Sequence, residues 1–175
     1  GPMAGSVIYL GVVDGFGGAT VIGSPNTEKT TSLYAGATVN TPITNLSAGV
    51  AYDYRSDFTA GGAPLTKENT AYAVAGYLTY AATSKMKIND RVDYANADQG
   101  TFYGTFGNYA GATPAGSREH LLSNTLTLDY SLWDNVITRG EFRWDHSLTG
   151  DRPFGGTLDP QKNAFLLAAN IIYKF

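Results

Sequence analysis

The last stretch of the chain, Asn163 to Phe175, alternates with a period of two along its whole length. Successive side chains of an extended chain point to opposite faces. Phe165, Leu167, Ala169, Ile171, Tyr173 and Phe175 therefore share one face, and Ala164, Leu166, Ala168, Asn170, Ile172 and Lys174 share the other. One face is wholly apolar and closes in an aromatic pair, at a terminus where a water-exposed chain would fray. A strand with lipid on one side and a water-filled or packed lumen on the other has this pattern, with Tyr173 and Phe175 at the membrane interface. A half-buried edge strand of a soluble sheet alternates too, so the remaining chain must separate the two.

Composition narrows the choice. Charged residues make up only 15% of the chain and the mean hydropathy is -0.16, with 21 Gly and 12 Tyr. No run approaches the ~20 apolar residues of a membrane helix. A barrel wall reconciles low charge with the absence of long apolar runs, because apolar and polar positions average out in any window. There is no cysteine, which removes disulfides, thiol catalysis and cysteine metal sites. A net charge of -3 supplies no basic stripe for nucleic acid. Gly1-Pro2-Met3 has the form of a tag-removal scar, leaving 4–175 as a single β-barrel domain.

Seven more candidate strands precede it, six of them alternating. Val7 to Val13 is a β-rich run ending at Asp14-Gly15; Ser32 to Asn40 sets Leu33, Ala35, Ala37 and Val39 against Tyr34, Gly36 and Thr38. Asn45 to Ser56 sets Leu46, Val50, Tyr52 and Tyr54 against Ser47, Gly49, Asp53 and Arg55. Thr70 to Ala82 opposes Tyr72, Val74, Leu78 and Tyr80 to Ala73, Tyr77 and Thr79. In Met86 to Ala95, Ile88, Val92 and Tyr94 oppose Lys87, Asn89, Arg91 and Asp93, and Asp90 falls in the apolar set, where a carboxylate facing lipid is disfavoured. Leu122 to Leu132 opposes Leu126, Leu128 and Tyr130 to Thr127 and Asp129; Val136 to His146 opposes Phe142 and Trp144 to Arg139, Glu141, Arg143 and Asp145. The connections run long, short, long, short, long, short, long, with 57–69 and 96–120 among the long ones. The expected fold is all-β, an eight-stranded antiparallel up-and-down transmembrane β-barrel with both termini on the periplasmic side.

Two sets of side chains are candidates for function. The charges Asp53, Arg55, Lys87, Arg91, Asp93, Asp129, Arg139, Glu141, Arg143, Asp145 and Lys174 share the inward parity. They either line a passage and sort solutes by charge and size, or pair into a packed polar core that fills an eight-stranded lumen. Tyr52, Tyr54, Tyr72, Tyr80, Tyr94, Tyr130, Phe142, Trp144, Phe165, Tyr173 and Phe175 share the lipid-facing parity as interfacial aromatics. Neither a catalytic site nor a metal or cofactor is expected. His120 and His146 are the only histidines, and Asp145, His146 and Ser147 alternate in direction, so they cannot face one site. The Gly-rich stretches at Gly15 to Gly18 and Gly104 to Gly111 join no strand to a helix and are not phosphate cradles.

Several segments resemble a known family. Arg91-Val92-Asp93-Tyr94, Leu126-Thr127-Leu128-Asp129-Tyr130, Asp134-Asn135 followed by Arg139, Glu141, Phe142, Arg143, Asp145, His146 and Ser147, and Gln161 with Tyr173-Lys174-Phe175 are similar to the C-terminal strands of OmpL-like outer-membrane β-barrel porins. Val12-Val13-Asp14-Gly15-Phe16 looks like an earlier strand end. The resemblance implies a channel for passive passage of small hydrophilic solutes in a Gram-negative-type outer membrane, with inward charges setting selectivity. It implies contact with membrane lipid, assembly by the barrel-assembly machinery through a C-terminal strand ending in Phe, and no enzymatic activity. Such porins are usually longer, which leaves a C-terminal portion, a shortened relative or an engineered half. Alongside the channel stand a non-conducting barrel that anchors or displays its loops, and a homo-oligomer in which two chains share a larger pore.

Overall fold

In a computed structural model the described residues are 5–17, 27–60, 66–98, 101–102, 118–150, 152–156 and 159–175. They form eight strands: β1 (Val7–Gly17), β2 (Thr27–Asn40), β3 (Leu46–Ala60), β4 (Thr66–Ala81), β5 (Met86–Asp98), β6 (Arg118–Trp133), β7 (Val136–Ser147) and β8 (Asn163–Tyr173). All belong to one antiparallel sheet in sequence order. Among the described residues each strand touches only its chain neighbours, and β1 and β8 are not paired with one another.

Three short connections set the register. Between β2 and β3 the chain turns over 41–45 with Asn45 at a φ of 65°, a left-handed position that Asn tolerates. Between β4 and β5 the Thr83 hydroxyl accepts the backbone N–H groups of Lys85 (3.2 Å) and Met86 (3.0 Å). Asp134 and Asn135 join β6 to β7 beside a bulge between Ser131 and Trp133.

The strands run further than alternation suggested, at the ends away from these turns. β2 begins at Thr27, β3 passes a bulge at Asp57/Phe58 to reach Ala60, β4 begins at Thr66 and β6 at Arg118. Of the expected loop 57–69, residues 57–60 belong to β3 and 66–69 to β4. These extensions carry no alternating hydrophobic signal. Cross-strand bonds accompany the ladder there: Thr30 donates to Asp57 (2.8 Å), and Arg118 pairs with Asp98 (2.5 Å). Gly18, Gly104 to Gly111 and Gly1-Pro2-Met3 lie outside the described residues.

The sheet is a single layer. Buried apolar residues among those described are only Ala51, Ala75, Ala97 and Val136, whereas Leu10, Val12, Leu167 and Ile171 are 71–82% exposed. A soluble sandwich would cover such a face with a second layer, and among the described residues no second layer packs on it.

One row of register partners runs Val7, Thr38, Gly49, Tyr77, Arg91, Thr125, Arg143, Leu166. It enters β1 at the strand's first residue and leaves β8 near that strand's opposite end. Strand centres thus slide along the row by roughly one residue per strand. With ~3.3 Å per residue and ~4.8 Å between strands, this slide tilts the strands by roughly 35°, the tilt of a closed barrel.

Candidate functional site

Register partners share a face, so the two faces can be followed strand by strand. Asp53, Arg55, Arg91, Asp93, Arg143 and Asp145 lie on one face, with Lys87, Asp129, Arg139 and Glu141. Lys174 follows the end of β8, its N–H donating to the Asn135 carbonyl (2.8 Å).

The charges on this face pair along the wall. Arg91 meets Asp93 at 2.7 Å, Arg143 meets Asp145 at 2.9 Å and Arg55 meets Asp57 at 3.0 Å, each two residues on in the same strand. Arg139 instead reaches its register partner Asp129 with two bonds, Nε to Oδ1 at 2.6 Å and Nη2 to Oδ2 at 3.2 Å. Polar neighbours complete the carboxylates. Ser123 donates to Asp145 (2.5 Å), Thr127 to Glu141 (3.3 Å), and a chain Thr79 to Asn89 (2.9 Å) to Asp129 (3.2 Å) crosses three strands. The Arg91 guanidinium also lies 5.3 Å over the Tyr77 ring, which fixes it from a second side.

Within every one of these pairs the cation stands out and the anion lies back. The four Arg side chains are 38–60% exposed and their Asp partners 17–24%. A solute approaching this face meets guanidinium N–H groups first. A recess of about 360 Å³ lies among Tyr77, Thr79, Asn89, Arg91, Thr127, Glu141 and Arg143.

A different residue type builds the wall toward β2 to β4. Gly36, Gly49, Ala51, Ala73 and Ala75 line it with little or no side chain, and the Tyr34 ring lies over Gly36. A Cβ added at Gly36 would meet the Tyr34 Oη at 2.5 Å, so glycine there makes room for the ring.

The opposite face is apolar between two aromatic belts. Near the long connections the rings of Tyr52, Tyr72, Tyr94 and His120 follow one another at 6.0–6.3 Å, and the Tyr94 hydroxyl lies 2.6 Å from His120 Nδ1. Tyr54 pairs with Tyr72, Trp144 stacks on His146 at 5.4 Å and Phe142 on Phe165 at 6.2 Å. Near the short turns lie Tyr80, Tyr130 and Tyr173, the last 6.0 Å from Phe175. Tyr72 and Tyr80 are roughly 27 Å apart along β4 at ~3.4 Å per residue, a height of about 22 Å after tilting, close to the ~25 Å apolar band of an outer-membrane barrel.

Asp90 sits on this apolar face, as its parity demanded. Asn124, on the neighbouring strand, donates to its carboxylate (2.8 Å) and to the Arg91 carbonyl (3.2 Å). The carboxylate is therefore hydrogen-bonded within the band.

Asp57 escaped sequence reasoning because it follows the last apolar position of its strand. The triplet Arg55-Ser56-Asp57 nevertheless repeats Arg91-Val92-Asp93 and Arg143-Trp144-Asp145 at the same parity. Tyr77, Asn89 and Thr127 were visible only as uncharged members of the polar set, and Ser123 was not singled out.

Comparison with known proteins matches this wall. Residues 11–175 match the family described as Putative beta-barrel porin-2, OmpL-like. A solved structure described as the NanC porin in a rhombohedral crystal form is 14% identical and covers 97% of this chain, with a TM-score of 0.51; the match spans 79% of that chain. A comparison with curated proteins finds no match.

Proposed function

The chain belongs to the OmpL-like β-barrel porin family, a porin-like channel of the bacterial outer membrane, and from that premise we propose that its polar face lines a water-filled passage for small hydrophilic solutes. The apolar face meets lipid. The observation that carries the reading is that each of the four Arg–Asp pairs on the polar face closes within one strand or between neighbours. These pairs need no opposite wall to satisfy them, so the lumen can hold water.

The outstanding guanidiniums give that passage a sign. Arg55, Arg91, Arg139 and Arg143 present donors to the lumen while their carboxylates lie against the backbone, so small anions are favoured over cations of equal size. Arg91 and Arg143 flank the recess and carry most of this preference. The short connections and both termini lie on the periplasmic side, and the C-terminal strand ending in Phe175 is the segment offered to the barrel-assembly machinery.

Planar-bilayer recording of the refolded protein tests the reading. Stable steps with an anion-biased reversal potential are expected, and Arg91→Gln with Arg143→Gln should move that potential toward neutrality at unchanged insertion. Inserted protein without steps would instead mean that side chains fill the lumen, as an eight-stranded ring permits. A cation bias would overturn the sign.

A further inference from the structure

Side chains along the middle of the polar face stand in the open, with Arg91 52% and Arg143 45% exposed. Toward the long connections the same face is closed. Ala97 and Ser147 are 0% exposed there and Glu119 2%. Ala97 and Glu119 are register partners, and their row continues through Ala71, Arg55, Ser32 and Val13. A single layer of sheet does not bury a glutamate on one of its faces, so another stretch of chain lies over the wall at this level.

That stretch leaves the end of β5. The Asp98 carbonyl accepts the N–H of Thr101 (3.2 Å), a turn that redirects the chain as soon as the strand ends. Its start is pinned, because the Asp98 carboxylate accepts the Thr70 backbone N–H (2.5 Å) and hydroxyl (2.8 Å) and pairs with Arg118. The next anchor lies on the polar face, where the N–H of Phe102 donates to the buried Glu119 carboxylate (2.7 Å). A buried carboxylate needs donors, and the inturned backbone supplies one.

From this anchor Phe102 reaches a recess of about 250 Å³ against the β1 to β4 wall. Two rows of polar parity flank it, Gly11 through Tyr34 and Asp53 to Ala73, and Val13 through Ser32 and Arg55 to Ala71; Leu33, Tyr54 and Tyr72, which lie between the rows, complete it. Gly11, Ala71 and Ala73 leave room there for a ring. Phe102 itself is 38% exposed, so the ring is open to whatever enters.

We infer that the chain following β5 turns into the lumen, and that Glu119 holds Phe102 there as the ring that narrows the passage at the end of the long connections. The narrowing rests on the porin reading above, whereas the position of Phe102 is testable without conduction. Glu119 is a positioning residue: buried, it acts through the Phe102 N–H and touches no solute. A solute entering at this end passes the ring before it meets Arg91 and Arg143.

The chain has no cysteine, so introduced pairs are its only thiols. Phe102→Cys/Ala73→Cys and Phe102→Cys/Val74→Cys are refolded in detergent and treated with a bifunctional thiol reagent long enough to span the recess. Ala73 and Val74 are adjacent on β4 and face opposite sides. A faster-migrating intrachain species for the 73 pair and none for the 74 pair is expected. Adding Glu119→Ala should abolish that species, and Glu119→Gln, whose side-chain oxygen still accepts the N–H, should keep it. Absence of the 73 crosslink, or equal crosslinking at 73 and 74, overturns the inward placement, and this comparison stands even where Glu119→Ala fails to refold. A crosslink that survives Glu119→Ala in folded protein overturns the role of Glu119.

Conductance separates the inference from the porin reading. Phe102→Ala should raise the step size and Phe102→Trp lower it at unchanged insertion, and steps of unchanged size overturn the narrowing. A barrel that crosslinks but inserts silently makes Phe102 part of a filled lumen, which overturns the passage and the narrowing with it. A conducting barrel without the crosslink keeps the passage and overturns the inference.

Discussion

Arginine placed along β8 tests which face meets lipid. Phe165 and Tyr173 mark the belts on this strand, and Ala169 lies midway, roughly 13 Å from each at ~3.4 Å per residue and about 11 Å in depth after a tilt of roughly 35°. Leu167 lies only about 5 Å below the level of Phe165. Arginine facing lipid costs ~2–4 kcal/mol at the midplane and ~0–1 near the interface. Ala169→Arg should therefore destabilise by about 2–4 kcal/mol and Leu167→Arg by about 1–2, interpolated from the same depth dependence. Leu166→Arg, on the polar face, should cost less than about 1 kcal/mol, since its guanidinium enters a water-facing wall. Leu166 and Leu167 are adjacent and both exposed, at 50% and 82%, so lost packing cannot mimic the difference. Reversible urea unfolding in lipid vesicles, followed by the fluorescence of Trp133 and Trp144, gives the three values. Equal costs at 166 and 169 would refute the assignment of faces.

Two further outcomes follow from the apolar face and the terminus. Asn124→Leu strands the Asp90 carboxylate and should cost about 1–3 kcal/mol, while Asp90→Leu/Asn124→Leu together should restore stability to near the parent or above it; a neutral single variant in the same unfolding assay would mean that Asp90 finds other partners. Deleting Phe175 should slow appearance of the folded band when the chain is assembled in cells yet leave unaided refolding in detergent unchanged, and equal loss in both assays would make Phe175 a stability residue only.

How much of this was legible depends on which force shaped each segment. Where lipid lies on one side, Leu46 to Tyr54 or Phe165 to Tyr173 must alternate, and the strands announced themselves. Beyond the belts both faces meet water, so Thr27 to Thr31 and Arg118 to His120 carry no periodic signal although their backbones stay paired. Pairing partners were less legible than faces. Arg91 and Asp93 are legible as a pair because i and i+2 share a face, but Arg139 chooses Asp129 through the register set by the Asp134-Asn135 turn, a relation between strands that one strand's sequence does not contain. Tyr34 lying over Gly36 is a matter of ring rotamer and was not foreseeable from alternation.

Pairing along the wall also decides what a ring of given width can do. From a strand spacing of ~4.8 Å and a tilt of roughly 35°, eight strands give a radius of about 7–8 Å and sixteen about 15 Å. An extended arginine side chain reaches about 6–7 Å from its backbone, so in the narrow ring Arg55, Arg91 and Arg143 would bring guanidiniums together on the axis. Their own aspartates, lying back against the wall, would screen that repulsion poorly. In the wider ring the same groups stand about 8 Å short of the axis, which is the screening length at physiological salt, ~8 Å. An ion on the axis then feels the guanidiniums at low salt and little of them at high salt. A wall whose charges are satisfied by their own neighbours, with cations outermost, is suited to the second geometry, where it biases passage without blocking it.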